Sequence, residues 1–202
     1  GLLLFWKNVE GRLNIINNHK YDYLNHIGSP FQDRRLWIKR IFDLIFGLIF
    51  MACSIPFIVI FGILIKLTSK GPIFYKQVRV GYLGRPFEII KLRSMKQDAE
   101  AKTGPIWAMK KDPRVTKVGR FMRRTKIDEM PQFWNVLKGD MSIVGPRPER
   151  PYFTEKFYHN NPEFPKRLRI KPGITGYSQV HGGYDMTPDQ RIIMDKYYMN
   201  HY

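Results

Sequence analysis

The chain is short of cysteine and of acidic residues. One cysteine, Cys53, stands among 202 residues, which excludes an internal disulfide framework and any multi-cysteine metal site. Cys53 lies in an apolar run and reads as a small hydrophobe. Seventeen Asp and Glu face 34 Lys and Arg, a formal charge of +17. The expected partner is therefore anionic: nucleic acid, a phosphorylated ligand or acidic lipid headgroups. No internal repeat is visible, and 44% hydrophobic with 25% charged residues excludes a disordered chain. The chain begins with Gly1 rather than Met and ends at Tyr202 in helix-like sequence, so it reads as a piece of a longer protein, with the length of one to two domains.

Charge is absent altogether from Leu44 to Ile65, and Asp43 is the only charge from Ile41 to Ile65. A run of 18 or more apolar residues is a candidate to enter a membrane. It starts too late for a signal peptide and has no small-residue cleavage pattern after it. Pro56 lies inside the run and removes a backbone hydrogen bond. It divides the run into arms of about 23 Å and 15 Å as helices, and neither crosses a hydrocarbon core of about 30 Å. Basic residues flank both ends: Arg34, Arg35, Lys39 and Arg40 before, Lys66, Lys70, Lys76 and Arg79 after. Positive residues stay cytoplasmic. A helix that enters, bends at Pro56 and returns to the same face satisfies both facts; a kinked span satisfies only the first.

Elsewhere, Ile73–Tyr75 and Phe87–Ile90 read as short strands around a turn at Gly81–Pro86. Leu2–Trp6 reads as an interfacial or core strand, and Gly28-Ser29-Pro30 as a break. Between Lys110 and Lys126 the chain holds Lys110, Lys111, Arg114, Lys117, Arg120, Arg123, Arg124 and Lys126 against a single acid, Asp112. On a helix, Arg120, Arg123 and Arg124 share one face, either a solvated face or a phosphate or headgroup site. Next come Asp128 and Glu129. They read either as an N-cap with a favourable dipole contact, ahead of Pro131 and a Gly139 C-cap, or as hard oxygen donors for Mg²⁺-assisted phosphate chemistry. Gly145–Arg150 and Lys171–Gly176 read as stiff loops, the first holding Arg147 in a fixed pose.

Taken together, these segments resemble the bacterial sugar transferases, monotopic enzymes that move a sugar phosphate onto a polyprenyl phosphate. The likeness runs from about Trp37 to Tyr202. It covers Lys39-Arg40-Ile41-Phe42-Asp43, Gly71-Pro72-Ile73-Phe74-Tyr75-Lys76-Gln77, Lys91-Leu92-Arg93-Ser94-Met95, Asp128-Glu129-Met130-Pro131-Gln132, Asn135-Val136-Leu137-Lys138-Gly139-Asp140-Met141-Ser142, Gly145-Pro146-Arg147-Pro148 and Pro172-Gly173-Ile174-Thr175-Gly176.

The resemblance implies an α+β protein. A re-entrant membrane helix hairpin would be joined to a small cytoplasmic, mostly helical catalytic domain with short strands and interfacial helices. The expected division is 1–36 N-terminal segment, 37–68 re-entrant helix broken at Pro56, and 69–202 catalytic domain. The family's Ser-Pro break falls on Ile55-Pro56, with Ser54 one place earlier. Asp128 and Glu129 match the family's acidic dyad, so Asp128 would attack the β-phosphate of a UDP-sugar and release UMP. Polyprenyl phosphate would then take the sugar phosphate. Mg²⁺ is implied, with Asp128 and Glu129 as its ligands. Arg123 and Arg147 match phosphate-binding arginines, and Lys91, Arg124, Lys171 and Gln179 are further phosphate- or substrate-binding candidates. Tyr177, Ser178 and His181 depart from the commoner Trp or Leu, Ala and Asn, which bears on sugar or nucleotide selectivity. The implied partners are a UDP-sugar, polyprenyl phosphate and lipid at the cytoplasmic face of a bacterial inner membrane. A homodimer is left open. Nucleic acid is not an expected partner, because that reading leaves the apolar run and the acidic pair without a role. An intact Asp128, Glu129 and Arg147 argue against a non-catalytic scaffold of the same fold.

Overall fold

A computed structural model describes residues 21–30, 35–97, 99, 112–182 and 186–201. The strand expected at 2–6 and the basic residues Lys110 and Lys111 lie outside these.

The apolar run forms one helix, α1, Arg35–Thr68, about 51 Å of helical rise. It starts two residues before the expected 37. The expected break into two arms is not found as an interruption, because Pro56 sits inside continuous helix. A proline costs one N–H, but in apolar surroundings each further residue leaving the helix strands more backbone groups, so the helix runs on. Ser54 donates its hydroxyl to the Phe50 carbonyl at 2.6 Å, the i−4 back-bond that tends to bend helices. Most large apolar side chains of α1 are exposed. Its buried residues form one stripe: Asp43, Gly47, Ser54, Gly62 and Ile65.

The following chain makes strands β1, Phe74–Val80, and β2, Pro86–Leu92, which pair as a hairpin around the Tyr82–Gly84 turn. This is the expected hairpin with longer strands. Then come α2, Lys117–Thr125, a 3₁₀ turn at Ile127–Glu129, and α3, Gln132–Lys138. β3, Ser142–Val144, leads to α4, Pro151–Asn160, a 3₁₀ segment at Phe164–Arg169, β4, Gly173–Thr175, α5, Tyr177–His181, and α6, Pro188–His201. β3 pairs with β4. The mixture of helices and short strands is the α+β composition expected.

The chain divides into two compact units. One compact unit takes α1, the outer parts of the hairpin and Glu88–Ile143; the other takes the hairpin tip Val78–Phe87, described residues 21–30 and the chain from Val144 onward. The physical reason is that two separate apolar cores form. In the α1 unit, Ile65, Leu92, Met122 and Ile127 are buried, with Phe61, Ile73, Val118 and Met130 against them. In the other unit, Tyr23, Ile27, Val80 and Leu168 are buried, with Leu24, Leu83 and Tyr158 against them.

Candidate active site

In the α1 unit, three elements deliver the predicted residues. β2 carries Lys91, and the chain just beyond it carries Ser94. α2 carries Arg123. It starts at Thr116, whose side chain accepts the Gly119 N–H at 2.9 Å, and it docks on the chain at Ser94. A Cβ on Gly119 would lie 1.9 Å from the Ser94 carbonyl oxygen, so only glycine permits this approach. α2 ends at Lys126, which adopts φ +62°. This left-handed step costs a non-glycine residue about 1 kcal/mol, and it turns the chain abruptly into Ile127–Glu129.

That turn presents the acidic pair. Met130 N–H bonds the Ile127 carbonyl at 3.2 Å, and Asp128 and Glu129 are both buried. The expected N-cap role of Asp128 is not what the fold uses. Pro131 occupies the cap of α3, with no side-chain cap bond, so the Asp128 carboxylate is not consumed by capping. The predicted Gly139 C-cap is present, at φ +93°, with its N–H on the carbonyls of Asn135 and Val136.

The two carboxylates differ. Glu129 Oε1 accepts from Lys91 Nζ at 2.8 Å. Asp128 accepts no side-chain or backbone hydrogen bond from the described residues, yet it lies in the field of several cations. Burial pushes its carboxyl above the ordinary 3.8. Lys91 opposes that rise, Glu129 adds to it, and Arg123 and Lys126 oppose it. Arg123 donates Nε–H to Ser94 Oγ at 2.8 Å. That brace orients the guanidinium while its two terminal amino groups find no acceptor among the described residues. The arginine face predicted on α2 therefore divides: Arg123 turns inward, whereas Arg120 and Arg124 are exposed. Arg124 has no described contact with the pair.

Arg147, Lys171 and Gln179 belong to the other unit. The two stiff loops predicted separately are stitched together there. Gly145 N–H bonds Thr175 O at 2.9 Å, and Gly173 N–H bonds Pro146 O at 3.0 Å. A Cβ on Gly173 would sit 2.1 Å from Gly145 N. Glu149, two residues after Arg147, is gripped by Arg191 at 2.5 Å and lies 3.7 Å from Arg79. Arg147 and Lys171 are half-buried, and Gln179 donates to the Ile174 carbonyl at 3.2 Å. The unusual residues of α5 meet α6: Tyr177 packs its ring 5.0 Å from Tyr197, and Ser178 donates to Asp195 at 2.9 Å.

Ser94, Glu149 and Asp195 escaped the sequence reading. Ser94 sat in view within Lys91–Met95, but its task depends on where α2 docks. A lone acid inside a basic stretch, as at Glu149, is a usable signal for a bracing ion pair.

With this geometry in place, comparison with known proteins decides the family. The family model for bacterial sugar transferases matches residues 34–202. The chain belongs to the bacterial sugar transferase family. A relative from Bacillus subtilis (strain 168), provisionally named an undecaprenyl-phosphate N-acetylgalactosaminyl 1-phosphate transferase, is 59% identical over 135 residues, 67% of this chain and 75% of that protein. The UDP-N-acetylgalactosamine-undecaprenyl-phosphate N-acetylgalactosaminephosphotransferase of Aeromonas hydrophila is 39% identical over 197 residues, 96% of this chain and 46% of that protein. The UDP-glucose:undecaprenyl-phosphate glucose-1-phosphate transferase of Escherichia coli (strain K12) is 40% identical over 154 residues, 76% of this chain and 33% of that protein. The sugar transferase chain thus spans less than half the length of the latter two.

The donor set of the transferase suits Mg²⁺. That ion takes one or two carboxylates and completes its octahedron with water and substrate phosphate oxygens. Asp128 and Glu129 provide adjacent carboxylates, and the Asp128 oxygens carry no hydrogen bond from the described residues. No group of three or more His, Cys, Asp or Glu able to hold a metal occurs among the described residues, so phosphate oxygens and water would fill the rest of the shell.

Proposed function

We propose that the chain transfers a sugar-1-phosphate from a UDP-sugar to undecaprenyl phosphate, releasing UMP. The observation that carries this reading is the Asp128 carboxylate, buried, unencumbered by capping and in the field of Lys91, Arg123 and Lys126. An Asp128 oxygen attacks the β-phosphorus. The Asp128–phosphorus bond forms, the bond from the β-phosphorus to the bridging oxygen breaks, and UMP leaves with that electron pair. An oxygen of undecaprenyl phosphate then attacks the same phosphorus, displaces the Asp128 carboxylate and yields the lipid-linked diphosphate sugar. Arg123, oriented by Ser94, offers a fork of N–H donors to the charge that accumulates on the diphosphate. Lys91 holds Glu129 in place and favours the ionised form of Asp128. Arg147, Lys171 and Gln179 are assigned to phosphate and substrate binding. Asp128 and Glu129 would hold Mg²⁺, which when bound supplies charge neutralisation to the phosphate oxygens.

The membrane reading is a re-entrant α1 with the catalytic body on the cytoplasmic face. It is supported by contacts at both ends of α1 with one compact unit. Near the start, Arg40 reaches the Val136 and Leu137 carbonyls. Near the end, Phe61 stacks on Phe121 at 5.8 Å. A helix that crossed a bilayer would leave its two ends on opposite sides.

The test is UMP release from a panel of UDP-sugars with the chain in nanodiscs. UDP-N-acetylgalactosamine comes first, because two relatives are named for that sugar. Without undecaprenyl phosphate the protein should release about one UMP per enzyme, the mark of a two-step reaction, and gain one sugar phosphate on a peptide containing Asp128. Asp128→Asn should abolish both. A strict need for both substrates with no adduct overturns the covalent step. No UMP from any sugar overturns the activity.

A further inference from the structure

Basic residues ahead of an apolar helix ordinarily serve only to hold that end in the cytoplasm, and any positive charge does so. Arg40 is used more specifically. Its Nη1 donates to the Val136 carbonyl at 2.6 Å and its Nη2 to the Leu137 carbonyl at 3.0 Å. These are last-turn carbonyls of α3, which lack an i+4 partner inside the helix; Val136 O already takes the Gly139 N–H at 3.0 Å, and Arg40 adds a second donor to it. The guanidinium also places a cation at the negative end of the α3 dipole. One turn further along α1, Asp43 Oδ1 accepts from Ser142 Oγ and from the Ile143 N–H, each at 2.9 Å, and Lys39 lies 3.6 Å from Asp43. One turn of α1 therefore fixes both the end of α3 and the strand that leaves it.

The opposite end of α3 is continuous with the acidic pair. Phe133 N–H bonds the Met130 carbonyl and Trp134 N–H bonds Pro131, so hydrogen bonding runs back to the residue after Glu129. The side of α3 is held as well. Asn135, fully buried, donates Nδ2–H to Glu88 O at 2.8 Å and accepts the Ile90 N–H at 3.2 Å. Those are β2 residues, and β2 carries Lys91, the partner of Glu129. A closed circuit results: Arg40 to α3, α3 to the Asp128–Glu129 turn, Glu129 to Lys91, and β2 through Asn135 back to α3.

We infer that Arg40 is a positioning residue of the transfer reaction. Its fork sets the axial seat of α3 and, through α3, the register of Asp128 against Lys91 and Arg123. This rests on the transferase reading above. Arg40 acts through α3 and not on the reacting groups.

The discriminating variant is Arg40→Lys, which keeps the charge that orients the helix but cannot bridge two successive carbonyls. The full chain is reconstituted in nanodiscs and assayed with UDP-N-acetylgalactosamine and undecaprenyl phosphate. Arg40→Lys should insert normally and lose about tenfold or more in kcat, with KM for the nucleotide sugar within about twofold, because sub-ångström misplacement of reacting groups acts on the rate. Arg40→Gln should lose at least as much per inserted molecule. In a Lys91→Met background, where the circuit is already open, Arg40→Lys should cost clearly less than it costs in wild type. A wild-type kcat in Arg40→Lys, a change confined to KM, or losses that simply multiply in the double variant would each overturn the inference. Wild type releasing no UMP from any sugar is a separate result, which fails the transferase reading instead.

Discussion

Adding a single methyl group at Gly119 tests whether the seating of α2 places Arg123. The side chain of alanine carries no charge and touches no predicted substrate. Its Cβ would lie 1.9 Å from the Ser94 carbonyl oxygen, 2.7 Å from the Ser94 carbonyl carbon and 2.8 Å from its Cα. Ordinary van der Waals contact begins near 3.4 Å, so α2 must retreat from Ser94 by about 1.5 Å, because the obstructing atoms are backbone. That retreat breaks the Thr116 N–H bond to the Ser94 carbonyl, now 3.1 Å, and stretches the Arg123–Ser94 contact well beyond hydrogen-bond reach. Overpacking of this kind costs about 1–3 kcal/mol. A displacement of about 1 Å in a positioned catalytic group costs roughly 10²-fold in rate. Gly119→Ala should therefore remain inserted, melt several degrees lower, and release UMP about a hundredfold more slowly. Arg123→Gln should be nearly as slow, and the double variant no slower than the worse single one. UMP release by stopped assay, with differential scanning fluorimetry in detergent, reads both effects. Wild-type turnover in Gly119→Ala would refute the claim that the α2–Ser94 seat positions the arginine.

Asp128 must be ionised to attack, and burial raises its pKa. The acid-side loss of kcat/KM should accordingly lie at higher pH than an exposed aspartate would give. Lys91→Met, which removes the largest opposing charge, should move that limb to still higher pH; a limb that stays put or moves down contradicts the assignment. Arg167 and Asp195 pair at 2.6 Å with side chains 2% and 1% exposed, so Asp195→Ala should cost about 3–5 kcal/mol by leaving a buried unpaired cation. Ser178→Ala, which removes one hydrogen bond to the Asp195 carboxylate, should cost less, about 1.5–3 kcal/mol, and a loss in thermal unfolding larger than that of Asp195→Ala would show that the charge is not what matters. Single cysteines at Arg35 and Lys70 in a Cys53→Ser background should label from the same side of sealed vesicles, and labelling from opposite sides defeats the re-entrant reading.

Local pattern alone determined several features of this protein. The charge-free run specifies α1, because a long apolar segment has one way to satisfy its backbone away from water. The hairpin turn and the Gly139 cap follow from residues whose backbone preferences act over a few positions. The candidate residues Lys91, Arg123, Asp128 and Glu129 were legible as charges in an ordered set of motifs, and the family with them. Which charges meet was decided only by the tertiary structure. By its residues alone Asp128 reads either as a helix cap or as an oxygen donor for phosphate chemistry; Pro131 takes the cap and the left-handed Lys126 precedes the turn in which Asp128 is buried. Arg120, Arg123 and Arg124 share one helix face by spacing, and only the Gly119 contact that seats α2 gives Ser94 to Arg123. Arg40 looked like a topological flank until α3 brought its last-turn carbonyls against α1. Burial, close backbone approach and the pairing of distant groups depend on contacts between residues as far as 140 positions apart. Local sequence preferences act over one or two helical turns and do not encode such contacts.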